Sequence, residues 1–141
     1  MTGNERVAAE IERLFGRLIR EGSRLTDGDE PHLTIRQGFA LAAAADNGPV
    51  RLGTLAERIG TTDATASRTV DSLLALGLVQ RKPDEADRPA VRIAATAAGR
   101  RLVARRRKLL ASLLERPLAG LTEAETAHVG GVLAELNALL G

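Results

Sequence analysis

The chain contains no cysteine, tryptophan or tyrosine, and its only aromatic residues are Phe15 and Phe39. Without cysteine, disulfide bonds, thiolate metal sites and cysteine-based redox sensing are excluded. Because there are only two aromatic side chains, the core has to be built from leucine, alanine, valine and isoleucine. Leucine and alanine are strong helix formers, so the composition favours a mainly α-helical body.

The sequence also lacks the residue groupings that enzymes, metal proteins and membrane proteins need. We find no nucleophile–base pair and no phosphate-binding glycine loop, so we expect no enzyme activity and no cofactor. His32 and His128 are far apart and have no cysteine or carboxylate companions at ligand spacing, so we expect no metal site. No apolar run suits a signal peptide or a membrane span. We therefore expect a soluble, cytoplasmic protein without membrane contacts.

Lysine is scarce, and arginine supplies almost all of the positive charge. The 20 basic residues exceed the 18 acidic ones by only two, which gives a formal net charge of +2. This balance permits binding to nucleic acid without requiring it, because the distribution of charge matters more than its sum. A length of 141 residues suits one domain.

Apolar residues recur at helical spacing through most of the chain. The spacing predicts helices over about 5–20, 35–46, 55–59, 63–76 and 97–116, and a last helix after Thr122. Thr34 with Gln37, and Thr122 with Glu125, have the spacing of capping boxes. Residues 50–52 are predicted to be extended. Residues 79–82 and 90–94 alternate and predict the two strands of a β-hairpin.

Residues 55–99 carry the most informative pattern in the chain. They are predicted to form a helix, a tight turn at Gly60, a second helix and a charged hairpin, followed by Thr96 as the cap of a long helix. This order is typical of a winged helix-turn-helix, which places its second helix in the major groove of DNA.

The second helix of this pattern has two contrasting faces. Ala66, Val70 and Leu73 predict packing against the body. The opposite face carries small, hydroxyl-bearing and charged residues, namely Thr61, Ala64, Thr65, Arg68, Asp71, Ser72 and Ala75. Methyl groups suit thymine and arginine can bind guanine through two hydrogen bonds. We expect Ala64, Thr65 and Arg68 to read bases, with Thr61 and Ser67 on phosphates; a solvated face without a partner is the alternative.

The hairpin mixes basic and acidic residues. Its cations are Arg81, Lys82, Arg88 and Arg92, and its acids are Asp84, Glu85 and Asp87. We expect Arg81 and Arg92 to contact phosphates and Arg88 to enter the minor groove, where the negative potential of DNA is strongest. We also expect Asp87 to hold a neighbouring arginine in position. An ordinary charged surface hairpin is the alternative.

Four short stretches resemble the MarR family of bacterial transcription regulators, and the resemblance runs nearly end to end. They are LTIRQ at 33–37, LAERIG at 55–60, SRTVDSL at 67–73 with LGLV at 76–79, and the wing. The family's wing pattern is Asp-x-Arg, five residues, then Leu-Thr-x-x-Gly. Here Pro89 stands where the family has its arginine and Ala95 where it has leucine. Arg88 is the candidate to replace that arginine from one position earlier.

The resemblance implies a mainly α fold with a small β-hairpin wing, in which a winged helix-turn-helix is joined to a helical dimerisation lobe. It implies a single domain over 1–141, with the DNA-binding lobe at about 33–96 and dimerisation helices at about 5–20 and 97–140. It further implies a homodimer on a pseudo-palindromic operator and repression relieved by a small aromatic or phenolic ligand. Leucines on several faces of the last two helices independently favour pairing of two chains.

Phe15, Arg36 and Phe39 correspond to positions near the ligand cleft of that family. An arginine there can pair with a ligand carboxylate. Core packing of both phenylalanines is the alternative. For the protein as a whole, the alternative to DNA reading is a winged-helix module that docks a partner protein.

Overall fold

The structure, a computed structural model, describes residues 1–25, 28–86 and 90–141. The described chain runs, in order, through α1 (Gly3–Leu25), α2 (Ile35–Asp46), β1 (Val50–Arg51), α3 (Leu52–Arg58), α4 (Asp63–Ala75), β2 (Val79–Pro83), β3 (Val91–Ala95), α5 (Ala97–Leu118) and α6 (Glu123–Leu140). This confirms the prediction of a mainly α-helical protein with a small sheet.

Most predicted helix boundaries agree with the structure to within two or three residues, because they depend on local caps. Thr34 and Gln37 form the predicted capping box, with the backbone N–H of each residue bonded to the other's side chain. Thr62 and Thr122 cap α4 and α6 through single bonds to the backbone N–H three residues on. The exception is α1, which extends five residues beyond the predicted end at Arg20.

The chain divides into two compact units, residues 31–106 and residues 1–30 with 107–141. In the first unit the three strands form an antiparallel sheet in the order β1-β3-β2. The predicted hairpin is β2 with β3, and the extended residues before α3 join it as a third strand. Val50 pairs with Ile93, and Arg51 with Arg92.

Unit 31–106 has a continuous apolar core under the sheet and α2 to α5. Its largest fully buried apolar side chains are Leu41, Leu55, Val70, Leu73 and Leu102. The predicted packing face of α4 is confirmed, because Ala66, Val70 and Leu73 are all buried. Since one helix face is held in this way, the opposite face of α4 has a fixed orientation toward solvent.

One tight contact joins the end of α4 to the start of α5. It is made by Gly77, Leu78, Thr96 and Gly99. Gly77 has φ of 71°, a left-handed conformation that favours glycine and ends α4. The Thr96 hydroxyl donates to the Gly77 carbonyl at 2.7 Å, and it accepts from the Gly99 N–H at 3.0 Å. This confirms Thr96 as the cap of α5. At Gly99 a Cβ atom would overlap the backbone carbonyl of Leu78, so only glycine permits this approach.

The second unit contains α1, the second half of α5 from Arg107 onward, and α6. Neither α1 nor α6 has a buried residue. Both helices nevertheless carry exposed large apolar side chains, which include Val7, Ile11, Leu14, Phe15, Val129, Val132, Leu133 and Leu136. Their apolar surface is therefore only partly covered within the described residues.

None of the described helices combines the length and the apolar character needed to cross a membrane.

The Gly99 contact predicts a large effect of adding one methyl group. Gly99→Ala should lower the free energy of unfolding by about 1–3 kcal/mol, because the new Cβ forces the backbones of α5 and Leu78 apart. Urea unfolding followed by circular dichroism measures this loss. Gly53→Ala is the matched control, since a Cβ at Gly53 has no atom within 4 Å. Equal midpoints for the two variants would show that Gly99 is not a tight contact.

Candidate nucleic-acid interface

The exposed face of α4 carries the predicted base-reading residues. Ala64 and Arg68 are exposed, and Thr65 is half-buried. Thr61 precedes the helix, and Ser67 is half-buried at its side. The structure therefore brings Ala64, Thr65 and Arg68 together on one accessible helix surface near its N-terminal end.

A short hydrogen-bond chain orients the arginine on this surface. The Arg68 Nη2 donates to the Thr65 hydroxyl at 3.2 Å, and the Thr62 hydroxyl donates to the same oxygen at 3.2 Å. Thr62 also caps the helix by accepting from the Thr65 N–H. Because these residues lie one turn apart, the guanidinium is drawn toward the N-terminus of α4. An arginine held in this way loses less conformational entropy when it binds a base.

An open cleft of about 460 Å³ lies between the start of α2 and the exposed face of α4. It is lined by Thr34, Ile35, Arg36 and Gln37 from α2 and by Thr65, Arg68, Thr69 and Ser72 from α4. The cleft places Arg36 beside the exposed face of α4 that carries Thr65 and Arg68. The capping box predicts where α2 begins, but it carries no signal of the element that this end faces.

The three residues predicted to line a ligand cleft are found on two helices in different units. Phe15 is in α1, whereas Arg36 and Phe39 are in α2. Phe39 has 52% of its surface exposed and Phe15 has 45%, so neither ring is buried among the described residues.

A buried carboxylate organises the cations of the sheet. Asp84, which follows β2, is 1% exposed, and its Oδ2 accepts from Arg51 Nη2 at 2.8 Å and Arg92 Nε at 2.9 Å. Its Oδ1 accepts from the Ala86 N–H. Arg51 and Arg92 are opposite each other in the β1–β3 pairing, and like charges in such positions repel. Asp84 offsets that repulsion and fixes both guanidinium groups.

Sequence reasoning missed this cluster. It predicted Arg92 as a phosphate contact and Asp87 as the acid that holds an arginine. In the structure Arg92 is 38% exposed and is engaged with Asp84, while its Nη1 donates to the Pro49 carbonyl at 3.2 Å. Asp84 and Arg51 are 33 residues apart in the chain, and no local motif links them.

A second ion pair joins the hairpin to α4. Arg81 Nη2 lies 2.8 Å from Asp71 Oδ1. Arg81 pairs with Ile93 across β2 and β3, so its side chain leaves the sheet on the face that packs against the core and reaches α4. Both partners are more than half exposed, which keeps the Arg81 guanidinium accessible to solvent.

The wing tip is outside the described residues. Asp87, Arg88 and Pro89 all belong to that segment. The predicted minor-groove contact of Arg88 and the predicted role of Asp87 therefore stay predictions.

Residues 33–88 match the sequence profile of the MarR family. This segment is therefore similar to the MarR family, and the match covers less than half of the chain. A curated relative is the uncharacterized HTH-type transcriptional regulator YhjH of Bacillus subtilis (strain 168), which is 32% identical over 75 residues. The alignment covers 53% of this chain and 43% of that relative's length.

Solved structures share the fold over nearly the whole chain, which confirms the winged-helix fold class. A MarR family protein from Bacillus stearothermophilus is 25% identical, with a TM-score of 0.74 over 99% of both chains. FabT of Streptococcus pneumoniae, solved in complex with DNA, has a TM-score of 0.75 at 20% identity, over 97% of this chain and 96% of that one.

We expect replacement of the buried Asp84 to lower the free energy of unfolding far more than replacement of the exposed Asp71. Asp84→Asn should lower the free energy of unfolding by about 1.5–3 kcal/mol, because it weakens charged hydrogen bonds to two arginines at a buried position. Asp71→Asn, which breaks an exposed ion pair, should cost less than about 1 kcal/mol. Urea unfolding of both variants measures the contrast. Similar losses would mean that burial of Asp84 adds nothing to its pairing.

Proposed function

We propose that this protein is a sequence-specific DNA-binding transcription regulator that reads the major groove with α4. The observation that carries the proposal is the exposed face of α4, where Ala64, Thr65 and Arg68 lie opposite a fully buried apolar face. A helix held in this way can enter the groove without rearranging the core. The similarity of residues 33–88 to the MarR family and the DNA-bound FabT neighbour support the proposal.

The proposed contacts follow from the chemistry of the side chains. Arg68 binds the O6 and N7 atoms of guanine, and the methyl groups of Ala64 and Thr65 contact thymine. Thr61, Ser67, Arg81 and Arg92 contribute mainly phosphate contacts, which position the helix without reading sequence. Arg88 is the candidate for the minor groove. We infer a cytoplasmic protein, because a bacterial regulator meets chromosomal DNA in that compartment.

We further propose a homodimer that binds a pseudo-palindromic operator. The exposed apolar residues of α1 and α6 support it, because a single chain leaves an apolar surface that association would cover. A two-fold dimer presents two copies of α4, and half-sites one helical turn apart require a spacing of about 34–36 Å.

The proposed regulation is repression that a small aromatic or phenolic ligand relieves. Arg36 and the exposed ring of Phe39 are three residues apart on α2, so a carboxylate and an aromatic ring of one ligand could bind together there. The role of Phe15 in that site is also a proposal. Titration of small aromatic carboxylates into the DNA complex tests the release, and unchanged DNA affinity would contradict it.

A winged-helix module that docks a partner protein is the second candidate. The ion pairs of Arg51, Arg81 and Arg92 with carboxylates favour it, because they reduce the positive charge offered to phosphate. Ionic strength separates the two functions. Binding that is driven by phosphate contacts weakens steeply with added salt because counterions are released, whereas apolar docking does not.

Replacement of Arg68 tests the assigned recognition surface. Arg68→Ala should weaken binding by about 1–3 kcal/mol and relax the preference at one base pair per half-site. Fluorescence anisotropy on an inverted repeat from the protein's own upstream region, and on single-base variants of that duplex, measures both effects. Arg68→Lys is the matched control, because it keeps the charge and loses the two-pronged hydrogen-bonding geometry. An unchanged preference in both variants would rule out base reading by Arg68.

Replacement of an exposed leucine tests the dimer. Leu133→Asp in α6 should shift the protein from dimer to monomer, since a buried unpaired carboxylate opposes association. Sedimentation velocity gives the mass of each species. Val91→Asp is the control, because Val91 is a similarly exposed apolar residue in β3. A Leu133→Asp variant that keeps the wild-type mass would contradict pairing through this part of α6.

A further inference from the structure

Asp71 is an acid on the face of α4 that the proposed function assigns to DNA. It lies three residues, or nearly one helical turn, after Arg68. A bare carboxylate at this position would repel the phosphates that flank the groove. The structure instead pairs it with Arg81 of β2, at 2.8 Å between Arg81 Nη2 and Asp71 Oδ1.

The pairing is built by the sheet register rather than by chance contact of two long side chains. Arg81 is opposite Ile93, which is buried, so both side chains are on the sheet face that packs against α4. Arg81 therefore reaches the side of α4 and not the outer face of the sheet. Its guanidinium ends beside the recognition surface.

A competing anion can break the Asp71–Arg81 ion pair easily, in contrast to the ion pairs of Asp84 with Arg51 and Arg92. Its side chains are 61% exposed for Asp71 and 53% exposed for Arg81. Exposed pairs of this kind contribute at most about 1 kcal/mol, because water competes for both charges. Asp84, at 1% exposure, holds its two arginines from inside the protein. A DNA phosphate can therefore displace Asp71 from Arg81 more readily than it can displace Asp84 from its partners.

We propose that Asp71 is an intramolecular competitor of DNA phosphate for Arg81 and thereby limits the affinity of the protein for DNA. The inference depends on the proposed function, since it concerns the same surface. In the free protein Arg81 is paired with Asp71, and in the complex it is paired with a phosphate. Each binding event must break the ion pair, and it leaves Asp71 as an uncompensated negative charge that takes up a cation from solution.

The competition predicts a gain of affinity from a conservative substitution. Asp71→Asn should bind mixed-sequence duplex DNA about two- to fivefold more tightly, the factor that corresponds to an exposed ion pair. The slope of log affinity against log salt should become steeper by up to about 0.9, because a cation is no longer taken up when Arg81 is released. Fluorescence anisotropy at several salt concentrations measures both, and thermal unfolding checks that the variant is folded.

A double-variant cycle with Arg81→Gln isolates the mechanism. In the Arg81→Gln background, Asp71→Asn should raise affinity by a clearly smaller factor than in the wild-type background, because only the general repulsion between the carboxylate and the phosphates is then removed. Asp63→Asn is the matched control: it removes one negative charge from the first turn of α4, and among the described residues no cation lies at salt-bridge distance from Asp63. Its effect should be the same with and without Arg81.

The outcomes separate this inference from the function on which it rests. An equal gain from Asp71→Asn in both backgrounds would overturn the competition and leave a general charge effect. No gain in the wild-type background would overturn it as well, while DNA binding by the wild type would keep the proposed function. A wild-type protein that binds neither mixed-sequence duplex DNA nor the upstream inverted repeat at low salt would defeat the proposed function itself.

Discussion

The close approach of Gly99 to the Leu78 backbone is the constraint on which unit 31–106 depends. At this joint α4 has just ended, β2 begins, β3 has just ended and α5 begins. Two hydrogen bonds of the Thr96 side chain and one from its backbone N–H to the Leu78 carbonyl tie the four ends together. The directions of α4 and of the hairpin are therefore set by one small contact rather than by separate loops.

The sequence could predict those parts of the fold that depend on residues close together in the chain. The capping box at Thr34 fixes the start of α2, and the alternation of apolar and polar positions fixes which face of α4 is buried. These signals lie within one or two helical turns, so they can be recognised without knowledge of the tertiary fold. The same reasoning identified Ala64, Thr65 and Arg68 as one surface.

The parts that could not be predicted depend on pairings between distant residues. The pairing of Val50 with Ile93 makes a two-residue segment into a third strand, and it brings Arg51 next to Arg92. Neither residue has a neighbour in sequence that indicates this. The cleft between α2 and α4 is of the same kind, because the position of Arg36 near Arg68 follows from helix packing and not from spacing. The pairing of Arg92 with Asp84 also joins residues that no local motif links, and the phosphate contact of Arg92 stays a prediction.

The uncovered apolar residues of α1 and α6 have a consequence for the amount of protein in a cell. When association covers such a surface, the folded state is stabilised by mass action, so its stability rises with the concentration of the chain itself. If two copies pair through these helices, dilution would separate the two copies of α4 and destabilise the helices that hold them together. The level of expression would then set the fraction of paired molecules as well as the number of molecules available.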